Sequence, residues 1–208
     1  MRVGVLDYGS GNIHSVRQAI FRLEANVAVS SNWDELDGCD GLLLPGVGAF
    51  AACMQALAPH AARIWAWVAA GRPLLGICVG HQVLFTSGDE SGVLSPGLGL
   101  LPGIVERLQV DRLPHMGWDD VEPPPHSPMF SGVEGERFYF VHSFGVRAVQ
   151  DNLFDQVAWC QTGGDKFVAG ITHENIWGTQ FHPEKSAAAG ARLLSNWLGY
   201  IATVGVAS

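Results

Sequence analysis

Three short apolar runs, each halted by a glycine-rich turn, most narrow what this chain can fold into. Val3–Asp7 stops at Gly9–Gly11, and Gly41–Leu44 stops at Pro45-Gly46-Val47-Gly48. Pro73–Ile77 stops within Gly76-Ile77-Cys78-Val79-Gly80. Runs this continuously apolar suit strands covered on both faces, which is the environment of a parallel sheet. Helical patterns separate them, one opening at Gly9–Gly11 and running to about Ala25, another covering Ala49–Ala70 with a break near Pro59. With a further strand at Val27–Ser30, the alternation predicts an α/β chain: a doubly wound, mostly parallel sheet with flanking helices.

The second half changes character. From about Gly99 to Ile176 prolines and short alternating runs predict antiparallel hairpins, with strands at Arg137–His142, Asp155–Cys160, Phe167–Ile171 and Ile176–Phe181. A last helix is expected from Ser186 to about Ala202. No stretch reads as a linker, so residues 1–208 are expected to form a single domain. The 26 glycines among 208 residues, well above the ~7% average, follow no repeat and so serve turns and close backbone approaches.

Charge and cysteine usage exclude several classes. The formal net charge of -8 repels phosphate backbones, so no nucleic-acid partner is expected. No apolar run approaches the ~20 residues of a membrane span, and the N-terminus lacks the apolar core of a secretory signal. Cys39, Cys53, Cys78 and Cys160 form no CxxC pair, which argues for reduced thiols and a cytoplasmic setting. No metal or cofactor is expected. His173-Glu174 lacks further ligands at metal spacing, and His182-Pro183-Glu184 lacks the CxxC that a zinc deaminase needs. Gly46-Val47-Gly48 with Ala51 fits only a loose nucleotide fingerprint.

The sharpest local signal is Gly76-Ile77-Cys78-Val79-Gly80. It has the form of a nucleophile elbow between a buried strand and a helix, with a thiol at the apex of a strained turn. A helix N-terminus favours thiolate there, and the Val79 N–H is placed to donate to an oxyanion. Taken alone, the string also suits a structural cysteine between packing glycines. Phe181-His182-Pro183-Glu184-Lys185-Ser186 tips the balance. A thiol nucleophile needs a base and the base an orienting carboxylate, and His182 and Glu184 supply both across a stiff proline.

Together these motifs resemble the triad-type, class I glutamine amidotransferases across essentially the whole chain. Within that family, DYGSGNIHSV, LLLPGVGAF, LPHMGW, YFVHSF and GTQFHPEKS resemble most the glutaminase subunits of imidazole glycerol phosphate synthases. The resemblance implies that Cys78 attacks the side-chain amide of L-glutamine, that His182 exchanges protons and that Glu184 holds its tautomer. It assigns the oxyanion site to Val47, Gly48 and Val79, with a peptide flip near Val47 before a second N–H can face the oxyanion. Glutamine binding falls to Gly46, Gly48, Gln82, Glu90, Ser143 and Phe144, with Glu90 on the substrate ammonium. Asn12, Met116, Trp118, Tyr139, Lys185 and the loop Pro114-His115-Met116-Gly117 fall on the face that docks a (β/α)8 cyclase subunit in a heterodimer. That partner would receive the ammonia.

The chain departs from the subfamily pattern at three places. Val79 and His81 replace a Leu and a Met beside the nucleophile, Phe144 stands where Tyr is common, and Asp119 where Asn is usual. The first leaves open the glutaminase of another synthase, serving anthranilate or nucleotide-sugar amidation. A cysteine hydrolase or a non-catalytic relative on the same fold are the remaining readings, and the complete Cys78, His182 and Glu184 set argues against the last.

Overall fold

A computed structural model describes residues 1–90, 92–149 and 153–206. The apolar runs form the middle of a seven-stranded sheet. Its parallel part comprises β1 (Arg2–Leu6), β2 (Asn26–Ser30), β3 (Gly41–Gly46), β4 (Leu74–Cys78) and β13 (Ile176–Thr179). Every residue of β3 and β4 is buried, as the unbroken apolar composition requires. The edge is completed by β12 (Asp165–His173) and β11 (Gln156–Thr162), both antiparallel. Across the sheet the order is β11-β12-β13-β4-β3-β1-β2.

Helices flank this sheet. The first, α1 (Ile13–Phe21), starts where the Asn12 side chain accepts the Ser15 N–H at 3.3 Å, and it buries Val16 and Ile20. A short helix absent from the sequence reading, α2 (Trp33–Leu36), is capped by Asn32 accepting the Asp34 N–H at 3.0 Å. The predicted Ala49–Ala70 stretch divides near Pro59 as expected, into α3 (Phe50–Leu57), a 3-10 turn at Ala58–His60 and α4 (Ala61–Ala69). The last helix, α6 (Ala187–Val206), buries Leu193, Leu194, Trp197 and Ile201, each apolar side chain contributing about 1.5–3 kcal/mol.

The second half departs from the hairpin expectation in an instructive way. Antiparallel pairing joins β8 (His115–Asp120) to β9 (Arg137–His142). It also joins β5 (Phe85–Glu90) to β6 (Val93–Pro96), and β10 (Phe144–Val146) to β7 (Leu101–Arg107). Two pairings are not antiparallel, because β5 runs parallel to β7 and β13 runs parallel to β4. The run Ile176–Phe181 therefore enters the parallel core rather than only closing a hairpin. Pro114-His115-Met116-Gly117, expected as a loop, contributes His115–Gly117 to β8. The elbow cysteine opens only one helical turn, α5 (Val79–Gln82). Residues 150–152 of the hairpin region lie outside the described residues.

The chain just beyond or at the carboxyl ends of β3, β4 and β13 lines one cavity, at the position where open α/β sheets place ligands. One side chain ties this arrangement to the helix layer. Asn175, in the β12–β13 turn, donates Nδ2 to the carbonyls of Val68 at 3.1 Å and Arg72 at 2.6 Å. Asn175→Ala leaves both oxygens without that donor and is expected to lower stability by about 1–3 kcal/mol, read from chemical unfolding midpoints.

Candidate active site

At the end of β4 the chain turns on Cys78 with φ 56° and ψ -114°, a conformation that L side chains rarely adopt. The turn is possible because its neighbours lack side chains. A Cβ on Gly80 would collide with the Leu44 carbonyl oxygen, and one on Gly76 would press on the Gly80 carbonyl. Strand, strained residue and helical turn thus lie against β3 with no space between. As the first residue of α5, Val79 has an N–H with no intrahelical acceptor, beside the thiol.

His182 and Glu184 arrive from the end of β13. His182 Nδ1 lies 2.8 Å from Glu184 Oε1, with both side chains almost fully buried. The 3-10 turn at Pro183–Lys185 holds this pair, and the Ser186 hydroxyl braces it by donating to the His182 carbonyl at 2.7 Å. Nδ1 donates to the carboxylate, which leaves Nε2 free of any aligned protein partner. Burial works against a charge on this ring, but the Cys78 thiol and Glu184 outweigh it and push the His182 pKa up to about 9. The ring therefore carries a proton at neutral pH.

Cys78 and His182 line a cavity of about 210 Å³ with Val47, Gly48, Val79, Gln82, Glu90, His142, Ser143 and Phe144. Its size is below the ~300 Å³ at which pockets for drug-sized ligands begin, so it suits a small solute. A larger surface cleft of about 350 Å³, lined by Pro102, Ile104, Glu106 and Val149 among others, contains one carboxylate and no nucleophile.

A family model for class-I glutamine amidotransferases matches residues 4–199. The chain belongs to that family. A relative named imidazole glycerol phosphate synthase subunit HisH, from Corynebacterium glutamicum, is 52% identical over 96% of this chain and 98% of its own length. The HisH subunit of Cutibacterium acnes is 50% identical over 97% and 98%. A solved GMP synthase subunit from Thermoplasma acidophilum superposes with a TM-score of 0.76 at 24% identity, covering 98% of this chain and 95% of that one, and so shares the fold.

In this amidotransferase most of the residues singled out from sequence surround the cavity. Gln82 is fixed by donating Nε2 to the Phe144 carbonyl at 2.7 Å and to Gln180 Oε1 at 2.9 Å. Glu90 Oε1 accepts the Phe50 N–H at 2.8 Å, at the start of α3. Gly46 is not in the lining; it abuts the Val79–Gly80 backbone instead. The peptide groups of Val47 are both engaged by Ser10, whose hydroxyl donates to the Val47 carbonyl at 2.8 Å and accepts the Val47 N–H at 3.2 Å.

Around the cavity mouth the other set divides. Met116 and Trp118 project from the outer face of β8, 62% and 44% exposed. Trp118 packs edge-on against Tyr139 at 6.2 Å, and Lys185 Nζ stands 5.9 Å from the Tyr139 ring. Lys185 also lines the cavity, which joins patch and site. Asn12 stands apart, its side chain spent on capping α1. Among the described residues no cluster of three or more His, Cys, Asp or Glu could hold a metal ion.

Sequence reasoning missed His142, Ser10 and Gln180. Gln180 was open to discovery: it is two residues before His182, so strand alternation points both side chains the same way, and its Nε2 stands 3.9 Å from Cys78 Sγ. The turn strain yields a direct test. Comparing the folded stabilities of Cys78→Gly and Cys78→Ala should show glycine ahead by about 1–2 kcal/mol, since only the alanine Cβ meets the positive-φ penalty. Equal unfolding midpoints would mean the turn is unstrained.

Proposed function

We propose that this amidotransferase is the glutaminase subunit of an imidazole glycerol phosphate synthase, working as a single glutamine amidotransferase domain in the cytoplasm. The observation that carries this reading is the orphaned Nε2 of His182, backed by Glu184 and facing the cavity that contains the Cys78 sulfur. The HisH relatives, about half identical over nearly the whole chain, supply the choice of synthase.

Cys78 attacks the carboxamide carbon of glutamine as its thiolate, forming a C–S bond. The adduct collapses as the C–N bond breaks, and His182 Nε2–H gives its proton to the departing nitrogen. With its pKa at about 9 the ring already carries that proton at neutral pH. Ammonia and a γ-glutamyl thioester result. Water then attacks the thioester while Nε2 takes its proton, and glutamate leaves with the thiolate restored.

Val79 N–H stabilises the oxyanion from α5. Gly48 N–H supplies the second donor after the Val47–Gly48 peptide turns over, a motion opposed by the bond from Ser10 to the Val47 carbonyl. Glu90 takes the substrate ammonium, while Gln82 and the Ser143 and Phe144 backbone hold its other polar atoms. Gly46 contributes indirectly, by keeping β3 against α5.

The partner is a (β/α)8 cyclase subunit, docked in a heterodimer over Met116, Trp118, Tyr139 and Lys185, with Asn12 at the rim. It uses the ammonia to make imidazole glycerol phosphate and AICAR nucleotide in histidine biosynthesis. Ammonia released into water would protonate and diffuse away, so turnover coupled to partner occupancy conserves glutamine.

The reading is tested by glutamate release from glutamine, with and without cyclase and its nucleotide ligand. Weak basal turnover that rises only with liganded cyclase and vanishes in Cys78→Ala is expected. Turnover indifferent to the cyclase transfers the protein to another synthase, and none at all refutes the catalytic reading. The proton assignment makes a separate prediction. Because His182 is raised to about 9, the rate requiring its proton persists below that pH and falls as pH climbs through it. Glu184→Gln removes one of the groups that raise it, so the alkaline limb should move to lower pH, with kcat down about 10²–10⁴-fold.

A further inference from the structure

Behind the cavity wall runs a series of polar contacts that the triad does not use. His115 and His142 face each other across the β8–β9 register, with His115 Nδ1 3.0 Å from His142 Nε2. At one end, His142 Nδ1 lies 2.8 Å from the Phe144 carbonyl oxygen. At the other, His115 Nε2 lies 3.0 Å from Asp119 Oδ2. The two ends are acceptors, since a carbonyl has no proton to give and an ionised carboxylate has none either.

Counting protons decides the state of this series. Three contacts in a row need three protons, and two neutral imidazoles bring only two. With His142 Nδ1–H on the carbonyl, His142 Nε2 must accept from His115 Nδ1–H. His115 Nε2 then faces Asp119 with a bare lone pair. The opposite arrangement starts with His115 Nε2–H on Asp119 and ends with a bare His142 Nδ1 against the Phe144 oxygen. Either way one part-buried contact sets two lone pairs against each other unless a third proton is present.

We propose that the Asp119–His115 contact holds this third proton, making both groups positioning residues that fix the Phe144 carbonyl of the cavity through His142. The claim deepens the glutamine reading of that cavity and rests on it for its functional half. The Phe144 carbonyl is the group on which Gln82 also converges, so its orientation sets two elements of the cavity wall.

The titratable groups that face this series each have a state of their own. On β9, His142 is held neutral, its pKa pulled down to about 3 chiefly by burial. His81, deeply buried behind it, is likewise pulled to about 3 by burial. His182 also faces His142 and keeps its own proton up to about 9. From β11, burial and then Asp119 raise the Cys160 thiol, which stays protonated, with Asp120 and Glu122 acting the same way. Asp119 Oδ1 is occupied by the Asp120 N–H at 2.9 Å. For His115 itself, burial lowers the pKa and outweighs Asp119, which opposes it, so the third proton rests on the contact count and not on the ring's surroundings.

The sign of the pH effect follows. Below the apparent pKa of the pair, all three contacts are filled. As pH rises through it the proton leaves, one contact opens, and the hold on the Phe144 carbonyl is lost. Asp119→Asn removes the requirement, because its amide donates to a neutral His115 Nε2 and neutral groups then fill the whole series.

The test uses the full-length chain labelled with ¹⁵N and ¹³C, with neither glutamine nor partner present. At pH 7 the expected spectra show neutral His142 protonated on Nδ1, and His115 protonated on Nδ1. The third proton shows as imidazolium nitrogen shifts for His115 or as a neutral Asp119 carboxyl carbon. One transition on raising pH should move both residues, and Asp119→Asn should abolish it. Glutamine affinity, measured on Cys78→Ala, should weaken roughly five-fold across that transition and stay flat when Asp119→Asn is added.

An ionised Asp119 carboxyl beside singly protonated His115 at pH 7 would overturn the proton count. A pH dependence of affinity unchanged by Asp119→Asn would overturn the positioning role. Absence of glutamine binding at any pH would refute the glutamine reading instead, and the spectra still decide the proton.

Discussion

Everything at the site depends on the approach of α5 to the carbonyl of Leu44, an approach that only Gly80 permits. With no side chain at that position, the first turn after β4 settles directly on the parallel sheet. Cys78 is then forced into a positive φ, and its sulfur stands clear of the strand with the Val79 N–H beside it. A larger residue at Gly80 would lift the turn and relax the cysteine, separating thiol from donor. Strain of about 1–3 kcal/mol at one residue is tolerable because β3 and β4 are buried along their whole length.

The site also shows how electrostatic opposites are kept in a small space. His182 is driven to hold a proton by the thiol and carboxylate on either side. His142 and His81, close by, are driven by burial to stay neutral. The difference is one of partners rather than of depth. His182 has a carboxylate at Nδ1, whereas His142 has a carbonyl oxygen there and His81 has no hydrogen-bond partner on either ring nitrogen. Three imidazoles in one region thus take different protonation states without a metal or cofactor being invoked.

What could be read from the sequence was whatever a local string determines. Glycines two residues either side of Cys78 define a turn, and a His and a Glu flanking Pro183 define an oriented base. Uniformly apolar runs such as Leu42–Leu44 mark central strands whatever their partners are. The short strands of the second half were harder, because Phe85–Glu90 and His115–Asp120 contain glycines, acids and few β-branched residues. Their pairing is imposed by tertiary neighbours rather than by propensity. The His115–His142 contact was beyond reach for the same reason, since it requires the β8–β9 register. The parallel placement of β13 depends on a non-local choice that no string near Ile176 encodes.

That placement of β13 governs how the protein is made. Until residues 176–179 arrive, β4 offers a bare row of backbone donors and acceptors along one side, and Cys78 at its tip has no His182 near it. A chain emerging from the ribosome therefore spends nearly half of its synthesis with an unpaired central strand, the kind of edge to which other chains add. Closing that edge and bringing His182 to the cavity of Cys78 are one event, because β13 leads directly into His182. The cavity that joins Cys78 to His182 is complete only when the sheet that houses it has been sealed.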